Sequence, residues 1–329
     1  MKKTVLIFIS LLILLSCKEN NNPNTKKMSD LTSKNYIETM MKSTKRYAYE
    51  PMYYLTYEQN ICYSEILIND VLINKNFEEV VDGATISINN FIFKSGIQKV
   101  TFRLFPAKRG KDFDFQKLMN DTDMKIEVTE SDNQKRDLKG KEIVKYITPL
   151  ETYKANGFEK TRFIAAGKDY YEASFTFNAV VPYEFTSLDK ARDLRKWKKE
   201  ILEEEVVNFY KKQWEIINEK REDDYFSYLE LKEKETCQSL FYNKIEMEET
   251  LESYQEAFII KDYKLQPLEN YILKLYGEGK IVCLELNSQD KNLKGESALW
   301  AKYDKDRMAD FLTYYLYIPE GEDEFKILR

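Results

Sequence analysis

Histidine, one of the residue types that most often take part in catalysis and metal binding, is absent from this chain of 329 residues. Ser-His-Asp triads, cysteine–histidine pairs and histidine-ligated zinc all need an imidazole, which titrates near neutral pH and offers a lone pair to a metal. The composition therefore excludes these mechanisms. It leaves chemistry based on carboxylates, lysine, tyrosine, a serine–lysine pair or an unpaired cysteine.

Three short segments contain the residue types of a serine–lysine acyl-transfer site. Residues 187–190 (SLDK) fit the S-x-x-K pattern, and residues 131–133 (SDN) and 94–96 (KSG) are similar to the other elements of penicillin-binding enzymes. Along this chain they stand in the reverse of the order found in those enzymes. Helix capping and turns explain all three segments, so we expect no serine–lysine enzyme.

Three cysteines follow residue 17 in the sequence, at Cys62, Cys237 and Cys283. They form no C-x-x-C motif, so they support neither a metal site nor a thioredoxin-like site. An odd number allows at most one disulfide and leaves at least one free thiol. Cys283 lies in the alternating apolar segment KIVCLEL, which predicts a buried thiol that acts as a small hydrophobic side chain. We expect no cysteine nucleophile.

The remaining patterns indicate no cofactor and no metal. Residues 277–279 (GEG) begin like a dinucleotide-binding loop, but Val282 stands where G-x-G-x-x-G needs its third glycine, and a strand pattern follows. These residues predict a turn. Paired carboxylates for glycoside cleavage are defined by their separation in space, so spacing in the sequence does not identify them. We predict that the protein is not an enzyme and has no catalytic residue.

The first seventeen residues have the pattern of an export signal. Lys2 and Lys3 precede an eleven-residue apolar run, residues 5–15 (VLIFISLLILL), and Ser16 and Cys17 end that run. A membrane-spanning helix needs roughly 20 apolar residues, so this run is too short to span a bilayer. It fits the apolar region of a secretory signal.

This leader resembles the lipobox of bacterial lipoproteins that signal peptidase II cleaves. The resemblance implies that residues 1–16 are a signal peptide and that Cys17 becomes the mature N-terminus and carries a lipid such as palmitate. It also implies an envelope location, either periplasmic or surface-exposed, with the membrane as the partner of the lipid on Cys17. The alternatives are an ordinary signal peptide and a short anchor with a coincidental cysteine.

The segment after Cys17 predicts a flexible tether. Its sequence, KENNNPNTKKMSD, is rich in asparagine and lysine, so it offers almost nothing to bury. We expect residues 17–45 to hold a folded body off a bilayer. No later segment approaches the length of a membrane span, which predicts an anchored protein.

Residues 46–186 have the pattern of successive β-strands. Short runs rich in Ile, Val, Thr, Phe and Tyr alternate apolar with polar positions, and turn residues separate them. In residues 99–105 (KVTFRLF) the apolar residues share one face, and residues 94–96 predict a hairpin that joins this strand to residues 89–93 (NNFIF). No helical pattern intervenes, so the segment predicts an antiparallel β-sandwich domain.

From residue 187 onward the apolar period changes to that of a helix. Apolar residues between Leu188 and Ile217 predict an amphipathic helix of about 35 residues with Ser187 as its N-cap. Residues 224–263 predict two shorter helices, and residues 270–287 and 297–318 predict two hairpins. Residues 187–329 are thus expected to form an α+β domain of a long helix, a helical segment and a small antiparallel sheet. The fold class predicted for the whole chain is α+β.

The chain contains 24 tyrosines, and these are its best candidates for a binding surface. Tyrosine rings offer rigid contact area with a polar tip. The competing interpretation is that adjacent tyrosines in a strand place one ring in the core and one at an edge. The candidate binding surface comprises Tyr53, Tyr54, Tyr57, Tyr170, Tyr171, Tyr314 and Tyr315.

The net charge and the predicted location limit the classes of binding partner that we expect. A net charge of −5 disfavours nucleic acid, because phosphate neutralisation needs a basic face. An anchored acidic module predicts a nonenzymatic protein-binding lipoprotein, for example an immunity-type neutraliser of a basic toxin. The alternative is a glycan-binding or carbohydrate-processing accessory lipoprotein, which the sandwich and the tyrosines motivate.

Overall fold

The structure of the chain is a computed structural model that describes residues 28–109, 113–135 and 140–329. The predicted signal peptide, Cys17 and the start of the predicted tether lie outside the described residues. The described helices are α1 (Tyr36–Ser43), α2 (Lys199–Asn218), α3 (Glu222–Ser239) and α4 (Lys244–Ile259). The described strands are β1 (Pro51–Asn60), β2 (Cys62–Ile68), β3 (Val71–Asn76), β4 (Val80–Ser87), β5 (Gly96–Pro106), β6 (Lys108–Arg109), β7 (Phe113–Asp114), β8 (Asp123–Asp132), β9 (Lys141–Ile147), β10 (Leu150–Ala155), β11 (Phe158–Phe163), β12 (Tyr171–Ala179), β13 (Lys264–Leu265), β14 (Tyr271–Tyr276), β15 (Ile281–Leu286), β16 (Trp300–Tyr303), β17 (Met308–Phe311), β18 (Leu316–Tyr317) and β19 (Lys326–Ile327).

The N-terminal half is an antiparallel sandwich of two four-stranded sheets. One sheet has the strand order β4-β1-β8-β9 and the other has the order β12-β5-β2-β3. Leu55 and Ile126 from the first sheet share a buried core with Ile66 and Phe102 from the second. Apolar residues at every second position put one face of each strand into this core. The α+β class and the antiparallel sandwich are confirmed.

Residues 89–93 are not the strand that their sequence predicts. Asn89–Phe91 form one turn of 3₁₀-helix. The Asn89 side chain is fully buried and holds two other elements, because its Oδ1 accepts from the Tyr53 N–H at 2.7 Å and its Nδ2 donates to the Ser239 carbonyl at 3.0 Å. These bonds to β1 and to the end of α3 replace the pairing of a strand.

The C-terminal half combines three helices with two small antiparallel sheets of order β14-β15-β18-β19 and β13-β16-β17. The two predicted hairpins are confirmed as β14–β15 and β16–β17. The two predicted shorter helices are confirmed as α3 and α4. All six residues of β15 are buried, and the Tyr210 hydroxyl on α2 accepts from the Leu284 N–H at 3.1 Å. Strand β15 is therefore the centre of this half.

The predicted helix of about 35 residues is wrong in length and in its start. Helix α2 has 20 residues, and its N-cap is Lys198 and not Ser187. The backbone before it bonds elsewhere, because the Arg192 N–H donates to the Ile318 carbonyl at 2.9 Å and residue 191 forms a bridge with Pro319. Lys220 adopts a left-handed φ of 55°, which ends the helical path before α3 begins.

The predicted flexible tether is wrong for residues 28–45. Helix α1 lies in this segment and contacts α3 and α4. Leu31, Tyr36 and Met40 are buried in the core of the C-terminal half, and the Tyr36 hydroxyl donates to Glu233 Oε2 at 2.6 Å. Apolar residues at spacings of four to five give this short segment a face to bury. None of the helices in the described part of the chain is long and apolar enough to cross a bilayer.

The two halves meet in a third buried cluster. Leu67 and Leu72 on the outer face of the sandwich pack there with Ile281, Cys283 and Tyr315 of the C-terminal half. The Tyr315 hydroxyl donates to the Leu72 carbonyl at 2.7 Å. The C-terminal sheet thus covers part of the sandwich, while the domain boundary between residues 186 and 187 stays a prediction.

Candidate functional site

The seven candidate tyrosines do not form one exposed surface. Strand alternation turns some rings inward, and packing between the two halves covers others. Tyr54 and Tyr171 are half-buried, and only Tyr170, with 42% of its surface accessible, is exposed. The buried rings are Tyr53, Tyr57, Tyr314 and Tyr315. The tyrosine surface predicted from the sequence is therefore wrong for these four residues, and Cys17 lies outside the described residues.

The three described cysteines are free thiols with buried side chains. Burial raises the pKa of the Cys62 thiol to about 12. Burial also raises the pKa values of Cys237 and Cys283. A thiol that stays protonated at neutral pH is a poor nucleophile. The prediction of a buried Cys283 is confirmed.

A cleft with a volume of about 450 Å³ lies where the two halves meet. Strand β3 forms one wall, and β15 together with residues 295–297 forms the other. Lys232 of α3 and Arg329 also line it. We call this feature the cleft.

A buried ion pair crosses the cleft between the two halves. Lys75 Nζ lies 2.6 Å from Glu285 Oε2 and donates to the Gly295 carbonyl at 2.7 Å. The Tyr276 hydroxyl donates to Glu285 Oε1 at 2.7 Å. Gly295 has a φ of 73°, and a Cβ atom there would lie 2.6 Å from Lys75 Nζ. A glycine at this position therefore lets the lysine approach the backbone.

Arg329 joins three parts of the molecule at the other side of the cleft. Its Nε donates to the Asn90 carbonyl at 2.6 Å, and its Nη1 donates to Glu235 Oε2 at 2.6 Å. The guanidinium carbon lies 4.7 Å from the centroid of the Phe93 ring. The remaining nitrogen, Nη2, is buried and has no hydrogen-bond partner among the described residues.

Two further ionisable groups line the cleft with few partners of their own. Lys232 Nζ donates to the Tyr254 hydroxyl at 2.9 Å, and burial lowers the pKa of this lysine. The half-buried Glu296 side chain makes no hydrogen bond or ion pair with the described residues. Burial raises the pKa of Glu296. Charged side chains thus line the cleft, and the carboxylate of Glu285 is already bound by Lys75 and Tyr276.

A second feature, which we call the exposed hairpin, comprises residues 150–163. Strands β10 and β11 pair with each other across six residue pairs and with no other strand of the described chain. An ion pair of 2.8 Å between Arg162 and Glu151 and the packing of Arg162 over the Tyr153 ring hold the two strands together. Beyond Phe163, whose N–H donates to the Asn120 carbonyl at 2.8 Å, the backbone groups on the outer edges of both strands bond to no other described element.

Exposed apolar side chains lie at both ends of this hairpin. Phe158, beside the Asn156-Gly157 turn, is 71% exposed. Ile147, Leu150 and Ile164, at the base, are 60%, 59% and 42% exposed. The Ile164 N–H donates to the Pro149 carbonyl at 3.1 Å, which keeps these three residues close.

The sequence contained a usable signal for the hairpin but none for the cleft. Asn156-Gly157 between two strand-like runs is the strongest short hairpin signal. The cleft combines Lys75, Lys232, Glu296 and Arg329, which are far apart along the chain and share no motif. Only the fold brings them together.

Comparison of this chain with protein-family models, with curated proteins and with solved structures gives no match. Within the described residues, no group of three or more cysteine, aspartate and glutamate side chains is placed to hold a metal ion.

Proposed function

We propose that this protein is a nonenzymatic, lipid-anchored protein of the bacterial cell envelope that binds a partner protein through the exposed hairpin. The observation that carries this proposal is a hairpin whose outer strand edges are open as far as Phe163 and whose tip and base expose apolar side chains. Exposed apolar groups of this kind mark contact sites, and open edges accept a further strand.

The hairpin suits a protein partner better than a small ligand. Its two strands offer backbone N–H and C=O groups along both outer edges, and Phe158 and Leu150 offer apolar anchors. A partner strand would satisfy the backbone groups, while pockets on that partner would take the side chains. The whole chain has a net charge of −5, which favours the approach of a basic partner, as an immunity-type neutraliser requires, while the hairpin itself has two glutamates and three basic residues.

Two observations support a nonenzymatic role. The raised pKa values of the buried thiols disfavour a thiolate. Glu285, the most deeply buried carboxylate of the cleft, is already bound by a lysine and a tyrosine. A carboxylate with a donor already bound to each of its two oxygens is poorly placed to move a proton.

The anchor itself is supported by the leader. If Cys17 carries the lipid, ten residues join it to Met28, where the described chain begins. An extended chain spans about 3.5 Å per residue, so the body would stay within about 40 Å of the bilayer. The partner is then a protein of the same envelope or one that enters it.

Site-specific photocrosslinking in the producing bacterium tests this proposal. A photoreactive phenylalanine analogue replaces Phe158 in the full chain, and the matched control replaces Ile97, which is 77% exposed at the start of β5. We expect one dominant protein adduct from position 158 and not from position 97. Equal adducts at both positions, or none at position 158, would refute the hairpin as the contact surface.

A further inference from the structure

The cleft contains a buried cation whose hydrogen bonds are incomplete. Arg329 is 6% exposed, and its Nη2 has no partner among the described residues. A guanidinium is always charged, and a buried donor without an acceptor destabilises the folded chain. An acceptor supplied from outside the chain would remove this penalty.

Arg329 lies close enough to a second cation, Lys232, for its charge to act on that lysine. The charge of Arg329 is one of the causes that lower the pKa of Lys232. Glu235 neutralises Arg329 at 2.6 Å, and the nearest carboxylate oxygen to Lys232 belongs to Glu233 at 3.9 Å. An anion between Lys232 and Arg329 would relieve their mutual repulsion.

The cleft also offers a free acceptor. Glu296 lines it and feels the charge of Lys75 but has no hydrogen-bond partner among the described residues, whereas Glu285 is bound directly by Lys75. Burial raises the pKa of Glu296, so a donor in the cleft would stabilise its charged form. Phe91 and Tyr315 add aromatic surface to the same walls.

We propose that the cleft binds a small organic molecule that carries a carboxylate and, apart from it, a hydroxyl or ammonium donor. The Arg329 guanidinium and Lys232, which both line the cleft, hold the carboxylate, and Glu296 accepts from the donor. The volume of about 450 Å³ suits a single sugar or amino acid. Acidic sugars and amino acids both meet this description.

Isothermal titration calorimetry on the full chain in detergent at pH 7 tests the proposal with three probes: glucuronate, glutamate and glucose. We expect saturable binding of glucuronate, glutamate or both, and none of glucose, which lacks the carboxylate. Binding of glucuronate alone identifies a hydroxyl donor, and binding of glutamate alone identifies an ammonium donor.

Two variants locate the site. Lys232→Met and Glu296→Gln should each weaken binding by about tenfold or more, because each removes a charged hydrogen-bond partner. Lys305→Met, an exposed lysine outside the cleft, should leave affinity unchanged. Thermal melting of each variant checks that it is folded.

Three results would overturn the proposal. The first is no binding of glucuronate or glutamate at about 10 mM, a concentration that detects even weak millimolar sites. The second is glucose binding as tightly as glucuronate. The third is unchanged affinity in both folded cleft variants.

Discussion

Gly295 shows at the residue scale how a single missing side chain permits the contact between the two halves. Its left-handed φ of 73° strains any other residue, and the space that a Cβ would need is filled by Lys75. Gly157 in the exposed hairpin has a similar φ of 81° but no atom within 4 Å of the Cβ position. Comparing substitutions at Gly295 and Gly157 therefore distinguishes the cost of backbone strain, which both share, from the cost of displacing Lys75, which only Gly295 has.

We predict that Gly295→Ala lowers the free energy of unfolding by about 2 kcal/mol or more, and that Gly157→Ala lowers it by about 1 kcal/mol. Both variants carry the strain, but only Gly295→Ala pushes Lys75 away from Glu285. Urea unfolding of the two variants measures the difference. Equal losses would show that the ion pair adjusts to the new methyl group without cost.

The hypothesis of a lipid anchor also depends on a single residue, Cys17. We predict that Cys17→Ser moves the protein from the membrane fraction to the soluble fraction, because serine accepts no lipid at the mature N-terminus. Cell fractionation with immunoblotting measures this, and Cys62→Ser serves as the control because Cys62 is buried in the sandwich. A protein that stays in the membrane fraction after Cys17→Ser would be held by something other than this lipid.

Helix α1 is the element whose role differs most from its sequence-based interpretation. Adjacent residues in it face opposite environments, because Met40 is fully buried and Met41 is 48% exposed. The helix closes the C-terminal core over α3 and α4. It therefore belongs to the folded body.

We predict that Met40→Ala lowers the free energy of unfolding by about 2–5 kcal/mol, the range for a buried methionine, and that Met41→Ala changes it by less than about 0.5 kcal/mol. Chemical denaturation of both variants measures this. Similar small effects would mean that α1 is only loosely attached to the body.

The strands and hairpins were predictable because their signals are local. Alternation in residues 99–105 placed Val100, Phe102 and Leu104 on one face, and all three are buried in β5. The start of α2 was not predictable, because the backbone before it bonds to residues 318 and 319, which lie more than a hundred positions away. A long-range partner overrode a regular apolar period there.

At the scale of the whole molecule, the many buried tyrosines make the folded state sensitive to alkaline pH. Burial raises the pKa values of Tyr183, Tyr276 and Tyr314. Unfolded tyrosines ionise near a pH of about 10, so above it the unfolded state holds fewer protons than the folded state. The free energy of unfolding should therefore fall as pH rises above about 10.

We predict that phenolate absorbance rises in two stages during an alkaline titration. Partly exposed tyrosines ionise first, Tyr170 late among them because burial and its hydrogen bond to Glu172 raise its pKa to about 12, and the buried rings ionise only when circular dichroism reports unfolding. Dissolving the protein in denaturant should merge the stages into one. A single stage in the folded protein would contradict the burial of these rings.

The sequence by itself determined the absence of histidine chemistry, the strand and hairpin segments, and the α+β class, because composition and short-range periodicity are properties of the chain. It also predicted an exported, lipid-anchored protein, which stays a proposal. Only the tertiary structure decided which tyrosines are buried and which charged residues meet in the cleft. Periodicity marks the face that must be buried, but the partner of that face comes from distant segments, as Tyr315 on Leu72 and Lys75 on Glu285 show.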